Sequence, residues 1–137
     1  MAKFNLDEVK EQSYINEEGE YTLKVVDVAK DQDGCITQMT ATGKEFHKFV
    51  CEDKEGNRIN NSLYLSDKSI WRYKKFLIAL GVNVDGMVLD SETFDPRTLI
   101  GKKFVASVVR CQPKLNAETG AYEESKYFEI DNFYPIA

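Results

Sequence analysis

The sequence predicts a mainly β domain interrupted once, near its middle, by a helix spanning about residues 67–80. Two observations carry this expectation. In "NRINNSLYLS", residues 57–66, Ile59, Leu63 and Leu65 alternate with Asn60, Ser62 and Tyr64, the period of a half-buried strand. The next stretch, "DKSIWRYKKFLIALGV", instead repeats its apolar residues at helical spacing and stops at Gly81. A chain of 137 residues is long enough for one domain with a real core.

The elements follow in order. Residues 1–18 read as an acidic arm or short helix, because Phe4, Leu6, Val9 and Ile15 offer only weak helical spacing. The domain proper is expected over 19–137, opening after "NEEGEY" with the β-branched run "YTLKVVDVAK". "DQDG" at 31–34 carries turn chemistry. "KEFHKFVCED" and "NRINNSLYLS" form a hairpin across "DKEGN", whose Gly56 and Asn57 suit a tight turn. In the helix, Ser66 or Asp67 can cap the start. At about 100° per residue, Ile70, Tyr73, Phe76, Leu77 and Leu80 share one arc, Trp71 and Ile78 extend it, and Arg72, Lys75 and Ala79 lie opposite. Trp71 is accordingly expected to wedge the helix against the sheet. After a loop containing Pro96, "LIGKKFVASVVRCQ" reads as a fourth strand, "PKLNAETGAY" as a long hairpin tip, and "YEESKYFEIDNFYPI" as the closing strand.

Three strands, a helix and two more strands is the succession of an OB-fold, a five-stranded Greek-key barrel with its helix between strands three and four, and a mixed α+β sheet could share the same order. Such a fold binds ligands across strands two and three and the loops joining strands 1–2 and 4–5.

Composition excludes several functions. Cys35, Cys51 and Cys111 never pair as CxxC, and His47 is the only histidine, so a metal centre or histidine-based hydrolysis has little to build on. No glycine-rich phosphate loop occurs. The expectation is a protein that is not an enzyme and uses no cofactor. No apolar run approaches the roughly 20 residues that span a bilayer, and the N-terminus lacks a signal-peptide core, so a soluble cytoplasmic protein is expected. The net charge of −5 is segregated. Residues 1–20 hold two Lys against six Asp/Glu, and residues 115–137 one against five; residues 44–114 hold thirteen Lys/Arg against nine Asp/Glu. A basic middle between acidic ends keeps an anionic partner open.

Single-stranded nucleic acid is held by cations tracking phosphates and by aromatics stacking bases. Burying His47, Phe49 and Cys51 on strand two turns Phe46, Lys48 and Val50 outward; the opposite register stays open, since Phe46 and Val50 are also apolar. Strand three turns Arg58, Asn60, Ser62 and Tyr64 outward. Lys44 begins strand two, Arg110 and Lys114 lead into the hairpin tip, and Lys126 and Tyr127 leave it. Lys44, Phe46, Lys48, Arg58, Asn60, Tyr64, Arg110, Lys114, Lys126 and Tyr127 are thus the candidate nucleic-acid contacts.

The stretches "EGEYTLKVVDV", "FHKFVCEDKEGNRINNSLYL", "SIWRYKKFLIALGV", "LIGKKFVASVV" and "YFEIDNFYP" together resemble a phage- and prophage-encoded family, long catalogued as a domain of unknown function and regarded as single-stranded-DNA-binding or recombination-associated. The likeness covers roughly residues 19–135. It implies an OB-fold and non-catalytic, largely sequence-independent binding of single-stranded DNA during phage replication or recombination in the bacterial host cytoplasm. Phage or host replication and recombination proteins would be further partners. The alternative is an OB-like interaction module of a phage that docks on a host complex through its acidic surfaces. Barrel edges and the aromatics Tyr127, Phe133 and Tyr134 also leave a homodimer open.

Overall fold

The computed structural model describes residues 14–90, 92–111, 114–115, 118, 120–123 and 127–136. The chain forms β1 (Gly19–Val28), β2 (Gln38–Met39), β3 (Glu45–Glu52), β4 (Arg58–Tyr64), α1 (Ile70–Ala79), a 3-10 turn (Pro96–Leu99), β5 (Lys103–Arg110), β6 (Lys114–Leu115), β7 (Tyr122–Glu123) and β8 (Phe128–Tyr134). Six strands make one antiparallel sheet ordered β2-β3-β1-β5-β8, with β4 on β3, while β6 and β7 form a separate hairpin. The five main strands expected from the alternation are β1, β3, β4, β5 and β8. The short β2, which carries too little pattern to announce itself, makes a sixth. Barrel closure is not made by hydrogen bonds: among the described residues no ladder joins β4 to β8, although the two strands lie side by side.

β1 holds the sheet together by pairing twice. Gly19–Lys24 run against β5, and Lys24–Val28 against β3, with a bulge between Val25 and Asp27. A bulge bends a strand and raises its twist, so β1 turns from one neighbour to the other and curls the sheet round its inner face. That face buries Leu23, Val25, Phe49, Leu63, Phe104, Ala106 and Phe133 almost completely. The β3–β4 turn sits where expected. Asp53 accepts backbone N–H bonds from Glu55 and Asn57 at 2.9 and 2.8 Å, and Gly56 takes the positive φ of 87° that the turn demands.

The helix is shorter than the expected 67–80 and rolled differently. It starts after a turn in which Ser69 and Ile70 N–H groups bond to the Ser66 carbonyl. It ends in a Schellman motif: Val82 N–H reaches the Leu77 carbonyl, Gly81 N–H reaches Ile78, and Gly81 has φ 84°. Its buried residues are Tyr73, Phe76, Leu77 and Ala79, so Ala79 faces inward rather than outward. Trp71 is 61% exposed and does not wedge the helix against the sheet. The physical reason is Arg72. Its guanidinium donates to the carbonyls of Ile130 and Asp131 and lies 4.7 Å from the Phe133 ring centroid, which draws that side of the helix onto β8. β5 and β8 shift register at Ser107/Val108, leaving Asp131 unpaired between Ile130 and Asn132. That bulge leaves consecutive carbonyls within reach of one guanidinium fork.

The N-terminal segment is part of the packing from Tyr14 onward. Tyr14 bridges Arg58 in parallel, Ile15 N–H donates to the Arg58 carbonyl at 3.0 Å, and the Ile15 side chain is buried in the core.

Candidate nucleic-acid interface

The alternation of β3 takes the register that buries His47, Phe49 and Cys51. Phe46, Lys48 and Val50 therefore stand on the outer face. β4 pairs with β3 so that Phe46 lies opposite Tyr64, Lys48 opposite Ser62, Val50 opposite Asn60 and Glu52 opposite Arg58. Residues directly across antiparallel strands share a face, so these make one ordered row. At one end the Phe46 and Tyr64 rings meet with centroids 5.4 Å apart and remain partly open to solvent. Lys48 is half-buried at the centre, Asn60 is exposed, and Lys44 is exposed just ahead of β3.

At the other end of the row Arg58 is partly neutralised. Its Nε donates to Glu52 at 3.2 Å, an ion pair whose side chains are 38% and 29% exposed. Asp27 of β1 pairs with Val50 and is exposed, so the outer face mixes signs rather than being basic throughout. Such half-solvated pairs contribute little, about 0–1 kcal/mol.

Arg110 and Tyr127 lie at the β5–β8 end. Arg110 pairs with Phe128 across the ladder, with its guanidinium carbon 5.1 Å from the ring centroid. The Tyr127 carbonyl accepts from Cys111 N–H at 2.9 Å, which holds the base of the hairpin, and its side chain is 72% exposed. A cleft of about 410 Å³ brings Tyr127 together with Arg58 and Asn60. Lys114 falls on β6, and Lys126 lies outside the described residues. Six of the candidates thus collect on or beside the β3–β4 face, and Arg110 and Tyr127 flank its Arg58 end.

Sequence reasoning missed Tyr14. It also shares the 410 Å³ cleft and is 64% exposed. The only signal in the sequence was an apolar Ile15 just before the turn-rich "NEEG", which marks a residue seeking the core. Sequence reasoning likewise had no means of pairing His47 with Tyr73. His47 Nδ1 lies 2.7 Å from the Tyr73 hydroxyl, and Nε2 lies 3.0 Å from the Thr37 hydroxyl. This buried network ties α1 and the 29–44 segment to β3. Burial holds His47 below its ordinary value, against the opposing influence of Glu45 and Asp95. It therefore serves as a neutral linker and is shut away from any substrate.

The seam between β4 and β8 holds a second, more polar cleft of about 420 Å³, which includes Ser62, Arg72, Glu129 and Asp131. The Asn61 side chain is buried beside it, and its amide nitrogen meets no hydrogen-bond partner among the described residues. Cys51 is buried, and its thiol is pushed up to about 12 by desolvation. Among the described residues no group of three or more His, Cys, Asp or Glu is placed to hold a metal ion. Among them, too, no helix is long and apolar enough to cross a membrane. The chain matches no family model, and no curated protein matches it.

Proposed function

We propose that this protein is a non-catalytic, phage-encoded binder of single-stranded DNA, built on an incompletely closed OB-like barrel and acting in replication or recombination. The strand order β4-β3-β1-β5-β8, with α1 between β4 and β5, supports the fold reading. On it, β3 and β4 supply the ligand face, and the 29–44 segment supplies a loop that frames it. The resemblance set out above supports the same function.

One observation carries the reading: the outer face of β3 and β4 aligns an aromatic pair, Phe46 and Tyr64, with Lys48, Ser62, Asn60 and Arg58 along a single row. Bases stack on the aromatic end, phosphates follow Lys44, Lys48 and Arg58, and Asn60 and Ser62 hydrogen-bond sugars or base edges without choosing a sequence. The mixed charge of the face keeps the electrostatic part small, so affinity falls with salt but with a shallow slope.

The test is titration of a labelled oligo-dT at two salt concentrations. Wild type binds more weakly at higher salt and prefers single strand to duplex. Lys44→Glu combined with Lys48→Glu weakens binding at least about tenfold, on the order of 1.4 kcal/mol, with an unchanged melting temperature, since both side chains reach solvent. A double variant that binds as tightly as wild type removes the groove from consideration.

A second reading, docking on another protein, is favoured by a different surface. Trp71 is an exposed apolar residue on α1 that borders a cleft of about 430 Å³ together with Ile70, Leu77, Val84, Met87 and Leu89. Single apolar residues on a surface are ordinary, but contiguous ones mark interaction sites. A partner captured from nuclease-treated host lysate by wild type and lost with Trp71→Ala supports this reading; retention with Trp71→Ala excludes it.

A further inference from the structure

We propose that Tyr14 and Tyr127 form the two walls of a slot that takes one unpaired nucleobase, with Arg58 placed at its mouth for the adjoining phosphate. This assignment rests on the single-stranded-DNA reading and extends it to a residue outside the β3–β4 row.

Ile15 is buried and its N–H is bonded to the Arg58 carbonyl, so Tyr14 makes an isolated parallel bridge to Arg58 and the backbone at 14–15 is pinned along the edge of β4. Side chains alternate along a strand. Burying Ile15 therefore turns Tyr14 to the outer side, beside its bridge partner Arg58. Tyr127 is fixed from the opposite direction. It immediately precedes β8, and its carbonyl is tied to Cys111 N–H across the base of the hairpin.

Both residues are mostly solvent-exposed, 64% and 72%, and both border the same cleft of about 410 Å³. Two tyrosines bordering one cleft give it aromatic walls. Ile59 and Phe128 contribute apolar surface to the cleft, and Asn60 contributes an amide. A volume of this order is within the range of small-ligand sites. Apolar walls with hydrogen-bonding groups at the edge match a nucleobase, which is flat on its faces and polar on its rim. Glu52 occupies the Nε side of Arg58, so phosphate recognition falls to the other guanidinium nitrogens. The slot continues directly from the β3–β4 row through Arg58 and Asn60, which makes it the next subsite along one strand of DNA.

The N-terminal segment then has a positive role at the groove. Its Tyr14–Ile15 portion completes the site, and the acidic residues Glu17 and Glu18 follow where the chain leaves it for β1.

The test is a titration of labelled oligo-dT, about 15 nucleotides long, with wild type, Tyr14→Ala, Tyr127→Ala, the double variant, and Tyr→Phe at each position. Each alanine variant weakens binding by about 5- to 150-fold, the range for one stacked base. Each phenylalanine variant binds within about twofold of wild type, since stacking uses the ring and not the hydroxyl. The double variant loses little more than either single one, because both rings act on the same base. The dependence of log affinity on log salt keeps the wild-type slope in the tyrosine variants, whereas Arg58→Gln lowers it by about 0.7. Alanine variants that bind like wild type, or losses that appear in the salt slope instead, overturn the slot while leaving the β3–β4 groove standing. Wild type that fails to bind oligo-dT at all overturns both.

Discussion

The Arg72 guanidinium lies 4.7 Å from the centroid of the Phe133 ring while donating to the carbonyls of Ile130 and Asp131. One side chain on α1 thereby satisfies the bulged part of β8 and orients the helix against the sheet. Burial lowers the Arg72 pKa, and the nearby Asp131 and Glu129 carboxylates oppose that shift. It remains charged at any ordinary pH.

Arg72→Met should cost about 2 kcal/mol, since it strands carbonyls that were bonded to a charged donor. A fall in the urea midpoint with an unchanged slope is the readout. Arg72→Lys should recover only part of the loss, because an ammonium lacks the planar fork that reaches two carbonyls and stacks on a ring. Equal stability of all three proteins would show that the seam is held by something else.

Stability should fall on mild acidification through His47. Burial holds its folded-state value below the ordinary 6.5, with Glu45 and Asp95 pulling the other way and the Tyr73 and Thr37 hydroxyls bonded to its two nitrogens. Between 6.5 and the lowered folded value the unfolded chain binds a proton that the folded chain does not. The His47 contribution is therefore complete above the ordinary value and is lost as pH falls through that window. Wild type should lose stability faster than His47→Gln as pH falls below the ordinary value of 6.5, by no more than about 1.4 kcal/mol per pH unit. Parallel urea midpoints for the two proteins over that range would contradict this.

Glu52→Gln should strengthen binding to oligo-dT by up to about fivefold, because it removes the carboxylate that competes with phosphate for Arg58, a half-exposed pair worth about 0–1 kcal/mol. The same small number limits the change in folding stability to about 1 kcal/mol. A loss of affinity in this variant would mean that Glu52 positions Arg58 rather than competing for it.

Trp71 should report on the helix surface and not on the DNA face. Its 61% exposure implies red-shifted emission that changes little on unfolding, and it borders the 430 Å³ cleft with Lys74 and Met87 rather than the one that holds Asn60, Ser62 and Tyr64. Adding oligo-dT at saturating concentration should leave the emission within about a tenth of its starting intensity, since quenching requires a base stacked on the indole. Strong quenching would move the binding surface to the helix.

The residues 44–66 were the most legible part of the molecule. Alternation at period two and a Gly-Asn turn are properties of neighbours a few positions apart, so the hairpin and the outward set of Arg58, Asn60, Ser62 and Tyr64 could be read along the chain, whereas the outward face of β3 stayed open because Phe46 and Val50 are apolar like Phe49. Helical spacing and Gly81 likewise located α1 and its end. The roll of that helix could not be read in this way. It depends on Arg72 meeting carbonyls 58 and 59 residues farther on, and a polar residue placed on the outer arc by its own neighbours was turned inward by a distant bulge. Tyr14 reached the groove for a similar reason: its place is set by the edge of β4 that faces away from β3, which exists only once the sheet has formed. Local periodicity decided which segments are strands and which face of each is apolar; which strand edges stay open, and which side chains gather around them, was decided by contacts between parts of the chain that are far apart in sequence.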